Sequence, residues 1–343
     1  MTNIAAGNKV IAFSRNAAGV LTEVGQYETG GRGIGVDFDT QGPLVLNADH
    51  SFLYALSPGD DLLTVFAVNG SCLRKVQTIY AGDQPLSITL SSTGYAYVLD
   101  GSVASTGIFG FAVDKNEGTL TPLTNTTIPL STPIGVPGVV TFSPDGSAIV
   151  VANKVGSTID VFAVDKDGHA TGPMTTSAST GLRPFSATFQ NDTLYVVESG
   201  LPAIMNSAVS TYKLNTGSAP SLTALTKSSR NDQTDSCWII VSQDAKYLYT
   251  ANFVSSTISS YTLTGNGTVE LLDGAAASTG NMSEPVDLGL SRDGKLLYNL
   301  LRGAGAIVGY SIQDDGSLQQ VGGYFGEGGS IPAADGASGL AAF

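Results

Sequence analysis

A phrase of short strands recurs along the chain, and units of this kind must stack because none can bury its own faces alone. The phrase is cleanest in mid-chain. It opens with Val136-Pro137-Gly138-Val139-Val140-Thr141-Phe142-Ser143, turns at Pro144-Asp145-Gly146 and returns through Ala148-Ile149-Val150-Val151-Ala152-Asn153. A third strand, Ser157-Thr158-Ile159-Asp160-Val161-Phe162-Ala163-Val164, and the turn Asp167-Gly168 lead into a fourth. The phrase restarts near Pro43, Pro85, Pro137, Pro184, Cys237 and Pro285. Steps of roughly 40–55 residues match a four-stranded propeller blade. Two rows of turns keep the same phase. One runs Asp49-His50, Thr93-Gly94, Asp145-Gly146, Asn191-Asp192, Asp244-Ala245 and Asp293-Gly294. The other runs Asn69-Gly70, Glu117-Gly118, Asp167-Gly168, Thr216-Gly217, Asn266-Gly267 and Asp315-Gly316. Asn-Gly and Asp-Gly supply the positive φ that tight hairpins demand.

Six restarts leave both ends of the chain over. Gly336-Ala337-Ser338-Gly339-Leu340-Ala341-Ala342-Phe343 reads as a lone inner strand. Asn8 to Ser14, Gly19 and Leu21 to Val24 read as the outer strands of a blade. Joined, they make a seventh blade and remove the free sheet edge of an open array. The expectation is an all-β, seven-bladed β-propeller of four-stranded antiparallel blades. Residues 1–343 form one domain, with one blade closed by the N- and C-terminal strands. That blade's second strand is barely present before Asn3 and is expected to be short or trimmed.

The chain of 343 residues carries a net charge of -13 and a pI near 4.4. Such a surface repels phosphate backbones and anionic lipid, so neither nucleic acid nor membrane is an expected partner. No window approaches the roughly 20 apolar residues of a membrane span. Met1-Thr2-Asn3-Ile4 shows no basic stretch leading into an apolar run, so no signal peptide is expected, and the compartment stays open. Cys72 and Cys237 fall on different blades and read as free thiols. A ring closed by its own termini needs no partner subunit, so a monomer is expected.

Several segments resemble the lactonase family of seven-bladed propellers, which includes 3-carboxymuconate cyclases and bacterial 6-phosphogluconolactonases. They are Ser143-Pro144-Asp145-Gly146, Val151-Ala152-Asn153, Tyr249-Thr250-Ala251-Asn252, Ser256-Thr257-Ile258-Ser259-Ser260-Tyr261 and Ser291-Arg292-Asp293-Gly294-Lys295-Leu296-Leu297-Tyr298. The same motifs resemble non-enzymatic surface-layer repeats, so they speak to architecture more than to activity.

In each blade, the lead-in to the inner strand and the exit from the second strand share one face, where a funnel opens. The lead-in positions are Gln84, Val136, Arg183, Asp235, Glu284 and Asp335; the exits are Asp100, Asn153, Glu198, Asn252 and Arg302. Arg183 and Glu198 flank one hairpin, and such a pair resembles part of the active-site set of the muconate lactonizing members. The resemblance implies that Glu198 is a general base or acid and that Arg183 holds a substrate carboxylate or an oxyanion. The structural alternative is a salt bridge that staples the fourth blade to its neighbour. Asn153, Asn252, Asp100, Arg302 and Arg32 complete the expected substrate-binding set. Arg32 would reach the funnel from Gly30-Gly31-Arg32-Gly33-Ile34-Gly35, which lacks the strand–turn–helix context of a phosphate loop.

The resembling enzymes carry a histidine one blade earlier, where this chain has Pro133-Ile134-Gly135-Val136-Pro137. His50 and His169 sit at turns on the opposite face, so neither a Ser-His-Asp triad nor a histidine metal site is expected. Asp100, Asn153, Glu198 and Asn252 are oxygen ligands, but hydrogen bonding between blades explains them as well as a cation does. No metal and no cofactor is expected, and a dehydrogenase is disfavoured because no dinucleotide fingerprint sits in a βαβ context. Trp238 reads as packing core. The functional expectation is a lactonase-like enzyme that hydrolyses or forms a lactone on a small carboxylated or hydroxylated substrate. The alternative is a non-catalytic propeller that binds a small ligand or protein through the same face.

Overall fold

The computed structural model describes residues 1–325, 329–333 and 336–343, and these form strands and turns with no helix among them. Two paired strands come first, β1 (Lys9–Arg15) and β2 (Leu21–Glu28). Six antiparallel sheets follow, each of four strands hydrogen-bonded in chain order. They span residues 44–80, 85–129, 137–178, 184–230, 236–278 and 285–324. The second carries an added short strand, Ile128–Pro129, beside Gly107–Val113.

Burial explains the two kinds of strand. The second strand of a sheet is covered on both faces, so Phe52–Ser57, Ala148–Asn153, Thr193–Glu198 and Leu296–Leu301 are buried at every position. Strands of that sort read as unbroken apolar runs. Outer strands face solvent and alternate, as Leu21–Glu28 does.

Neighbouring inner strands touch in sequence around the ring, from Pro85–Leu90 to Pro137–Phe142, Pro184–Gln190, Ser236–Val241 and Pro285–Leu290. β2 packs on Leu318–Tyr324 of the sixth sheet, and Val10 of β1 packs with Leu44, Leu53 and Phe66 of the first. The two-stranded sheet thus stands between the last sheet and the first.

Among the described residues, six of the expected seven units have four strands. In the terminal unit the C-terminal segment lies between Gly289 of the sixth sheet and Leu44 of the first, in the place of an inner strand. The Met1 amino group donates to the Gly339 carbonyl at 3.0 Å, Ser338 N–H donates to the Met1 carbonyl at 3.2 Å, and Thr2 N–H donates to the Lys9 carbonyl at 2.9 Å. Met1 and Thr2 stand where the other sheets have a second strand of six residues.

A tyrosine on the second strand ties several sheets to the next. Tyr54 donates its hydroxyl to the Gly118 carbonyl at 2.9 Å, Tyr97 to Gly168 at 3.0 Å and Tyr249 to Gly316 at 3.0 Å. Tyr298 makes the same bond to Gly19, in the turn between β1 and β2, at 3.2 Å. Each acceptor belongs to the outer hairpin turn of the following unit. A buried carbonyl that loses its donor is left unsatisfied, so Tyr54→Phe and Tyr249→Phe should each cost about 1 kcal/mol of stability. The two lie at separate joints, and the double variant should show their sum in urea unfolding.

Candidate functional site

The mouth of the ring is built from a strained lead-in followed by a bulge. The residue before the inner strand has a left-handed backbone in four consecutive sheets: Val136 at φ 45°, Arg183 at 58°, Asp235 at 61° and Glu284 at 51°. Three of these precede proline, which ordinarily drives its neighbour into extended conformations. A β-branched residue such as Val136 adopts positive φ only at a cost, and strain of this kind collects at functional sites. Just inside, the register slips between Pro137 and Val139, between Pro184 and Ser186, and between Ser236 and Trp238. Bulges of this sort re-aim side chains.

Each of these lead-in carbonyls accepts a hydrogen bond from the first residue past the second strand. Ser199 N–H donates to Arg183 at 3.0 Å, Phe253 to Asp235 at 2.8 Å and Arg302 to Glu284 at 3.1 Å. Side chains alternate along a strand, so the residue after the strand's end faces opposite to its last residue. Lys154, Phe253 and Arg302 therefore reach the mouth, while Asn153 and Asn252 turn into the sheets.

A segment outside the repeat fills the axis. Asp37 to Gly42, between β2 and the first sheet, crosses the ring and bonds to sheet after sheet. Thr40 Oγ1 donates to the Leu86 carbonyl at 2.8 Å, and Gln41 N–H donates to Gly138 at 2.9 Å. Trp238 Nε1 donates to the Thr40 carbonyl at 3.2 Å, and Ile239 N–H to Gln41 Oε1 at 2.9 Å.

Two charge clusters flank this plug. In the first, Lys154 Nζ meets Asp39 Oδ2 at 2.6 Å, donates to the Asp39 carbonyl as well, and lies 4.4 Å from the centre of the Phe185 ring. Burial pushes the Lys154 ammonium below its ordinary range, and Asp39 pulls it back up. Arg183 Nη2 is 3.7 Å from the same Asp39 oxygen, and its buried Nε has no acceptor. Cys237 Sγ donates to Asp235 Oδ1 at 3.3 Å. Burial raises the Asp235 carboxyl above its usual range, against the hydrogen bond from Cys237 and the Arg183 charge, and burial pushes the Cys237 thiol well up. In the second cluster, Arg302 binds Asp37 at 2.7 Å and Glu284 at 2.9 Å, 4.7 Å above the Phe253 ring. Burial raises Asp37, and Arg302 offsets part of the rise. Trp238 packs between Phe185 and Phe253, with ring centres 5.1 and 6.2 Å away.

Of the residues singled out by sequence, Arg183 and Arg302 stand at the mouth, with the lead-ins Asp235 and Glu284. Glu198 does not pair with Arg183. It is buried within the fourth sheet, where Oε1 accepts Gly181 N–H at 2.8 Å, Ser210 Oγ at 2.7 Å and Ser179 Oγ at 2.9 Å, and Oε2 accepts Ser228 Oγ at 2.8 Å. Asp100 accepts from Asp83 N–H at 3.0 Å, Ser102 N–H at 2.9 Å and Ser105 Oγ at 3.0 Å. Asn153 donates to Asp160 at 2.9 Å, and Asn252 donates to Ser259 at 2.8 Å and Thr257 at 2.9 Å. Each of these exits completes a network in its own sheet, so they do not converge on one ligand. Arg32 is held by Asp60 at 2.7 Å in an exposed loop. His50 lies against Phe343, and His169 pairs with Asp165 at 3.7 Å, both at turns. Asp335 lies outside the described residues. Asp37, Asp39 and Lys154 are the site residues the sequence reading did not find. The plug has no counterpart in the repeat, and Lys154 follows its exit residue by one.

The family model described as "Lactonase, 7-bladed beta-propeller" matches residues 6–137 and 183–287, more than half of the chain. Among solved structures, the periplasmic gluconolactonase PpgL of Pseudomonas aeruginosa is 13% identical, with TM-score 0.71 and 93% of each chain covered. A protein of Bacteroides uniformis, provisionally named a 6-phosphogluconolactonase, is 20% identical, with TM-score 0.69 and 90% of each chain covered. A functionally unknown protein of Desulfotomaculum acetoxidans is 15% identical, with TM-score 0.68, covering 98% of this chain and 97% of its own. No curated protein matches.

Removing Asp39 strips the buried Lys154 of its carboxylate, although Asp39 itself is partly open to water. Asp39→Ala should lower stability by about 2–4 kcal/mol. Adding Lys154→Met should restore most of the loss, as read from denaturant midpoints, because the stranded charge is then gone.

Proposed function

Since the chain belongs to the lactonase family of seven-bladed β-propellers, we propose that it hydrolyses a small polyhydroxylated lactone at the axial mouth between Arg183, Asp235 and Arg302. In this reading the seventh blade is the terminal unit, made of β1, β2, Met1–Thr2 and the C-terminal segment. The observation that carries the proposal is the half-buried Asp235 carboxylate, raised by burial and within the field of an arginine whose Nε has no acceptor.

A carboxylate raised above its usual range is a better proton acceptor near neutrality. Asp235 takes a proton from water while the water oxygen bonds to the lactone carbonyl carbon. The oxygen of that carbonyl gains negative charge, and the Arg183 guanidinium stabilises it. The ring C–O bond then breaks, and the leaving alkoxide recovers the proton from Asp235. The product is the open hydroxy acid. Asp37, Asp39 and Glu284 supply acceptors for substrate hydroxyls, a composition that fits a sugar-like lactone better than an apolar one.

A second reading rests on the same ion pairs. Lys154–Asp39 and Arg302–Asp37 already satisfy one another, which suits a mouth that binds a ligand without turning it over. Proton release at constant pH from aldonolactones, phosphorylated sugar lactones and muconolactones separates the two readings. For an enzyme, Asp235→Asn should lower kcat at least about a hundredfold. Glu198→Gln should keep turnover and lose about 1–3 kcal/mol of stability instead. The wild-type rate should rise with pH through the Asp235 titration, above the ordinary carboxylate range near pH 4. Absence of release from every lactone would leave the binding reading standing.

A further inference from the structure

The two groups that carry the proposed chemistry stand on strained backbone, and each is tied down by a serine of the preceding sheet. Arg183 and Asp235 both lie in the left-handed region, at φ 58° and 61°. Residues other than glycine keep such a conformation only where their surroundings over-determine it. Ser157 and Ser207 take the same place in successive sheets, immediately before the third strands Thr158–Val164 and Ala208–Asn215. Ser157 Oγ accepts the Arg183 N–H at 2.9 Å. Ser207 Oγ accepts the N–H of Ser236, the residue after Asp235, at 2.9 Å. Ser256 holds that place in the fifth sheet, and among the described residues its hydroxyl makes no bond to the lead-in Glu284.

Ser207 also joins the two lead-ins to each other. It is fully buried, and its hydroxyl donates to the Ser199 carbonyl at 2.8 Å. Ser199 N–H in turn donates to the Arg183 carbonyl at 3.0 Å. One unbroken path of hydrogen bonds therefore runs through Ser157, Arg183, Ser199, Ser207 and Ser236. The Ser207 backbone is fixed as well: its N–H donates to the Gln233 carbonyl at 3.1 Å, and its carbonyl accepts the Asn231 N–H at 3.1 Å. The hydroxyl is thus held against the segment that leads into Asp235. Losing either serine hydroxyl removes a bond that offsets the cost of positive φ. A lead-in that relaxes towards extended backbone carries its side chain away from the mouth.

We propose that Ser157 and Ser207 are positioning residues, which lock the two lead-ins so that Arg183 stays beside Asp235 at the mouth. The inference rests on the assignment of the chemistry to that pair, and it adds the residues that set the pair's geometry.

The charged or titratable groups that act on the Asp235 carboxyl are Cys237, Arg183 and Asp39, with the Ser199 hydroxyl beside them. Burial holds the carboxyl up and Arg183 draws it down, so the two serines make opposite predictions. In Ser207→Ala the Asp235 lead-in relaxes, the carboxyl reaches water, and its titration midpoint falls towards the ordinary carboxylate value. In Ser157→Ala the guanidinium moves off, and the midpoint rises. Both are read by carbon-13 NMR of the aspartate-labelled chain, with Asp235→Asn to assign the signal. Ser157 is half-buried, so its variant keeps the test open should Ser207→Ala fail to fold. On a lactone that the wild type turns over, each alanine variant should lower kcat roughly tenfold and change KM less. Ser207→Thr, which keeps a hydroxyl, should recover most of that loss. Ser210→Ala, which removes a bond to Glu198 in the same sheet, should cost stability and leave the Asp235 midpoint in place. Midpoints that stay put in both serine variants, or that move in the same direction, would overturn the proposal. So would an equal shift in Ser210→Ala, which marks general loosening of the sheet. If the wild type turns over no lactone, the enzymatic reading falls, and the two opposed shifts still decide whether these serines position the pair.

Discussion

Every sheet of the ring is covered on both faces by its neighbours, so none can hold its shape alone. The fully buried second strands follow from this, as do the apolar clusters that run from sheet to sheet. Tyrosine hydroxyls reach across the joints for the same reason: a buried phenol needs an acceptor, and the glycine carbonyl of the next outer turn is the nearest one free. The constraint also explains why the chain ends meet. A ring missing one unit would expose two apolar faces at once.

Packing around an axis leaves the centre to be filled and the mouth to be finished. Segment 37–42 fills the centre with backbone and small polar groups. It brings two carboxylates into the ring, which in turn hold a buried lysine and a nearly buried arginine. The positive-φ lead-ins and the bulges behind them finish the mouth. The cost of these conformations is borne by the extensive pairing on either side, and the result is a rim where charged side chains face the axis instead of the apolar joints.

The sheets and their turns were legible in the sequence because two rows of turns, rich in Asp, Asn and Gly, repeat in phase with apolar runs. Arg183, Asp235, Glu284 and Arg302 were legible because their places follow from hairpin register. Glu198, Asn153, Asn252 and Asp100 were assigned to the right ends of the right strands and to the wrong face. With a side-chain period of two, one residue separates the mouth from the inside of a sheet. Lys154 is the neighbour that a shift of one would have found. Asp37 and Asp39 were beyond this method, since their position depends on contacts with strands far along the chain and not on any local pattern.

The plug joins the chain between β2 and the first sheet, yet it bonds to residues as distant in sequence as Trp238 and Ile239. It cannot seat until the second, third and fifth sheets stand in place around it. Loop closure over such spans is slow to nucleate, so seating belongs to the end of folding. The reverse order follows for opening. Fraying of an outer strand leaves the axis untouched, while release of the plug loosens several sheets at once, which couples the mouth's charged groups to the cooperative unfolding of the whole ring.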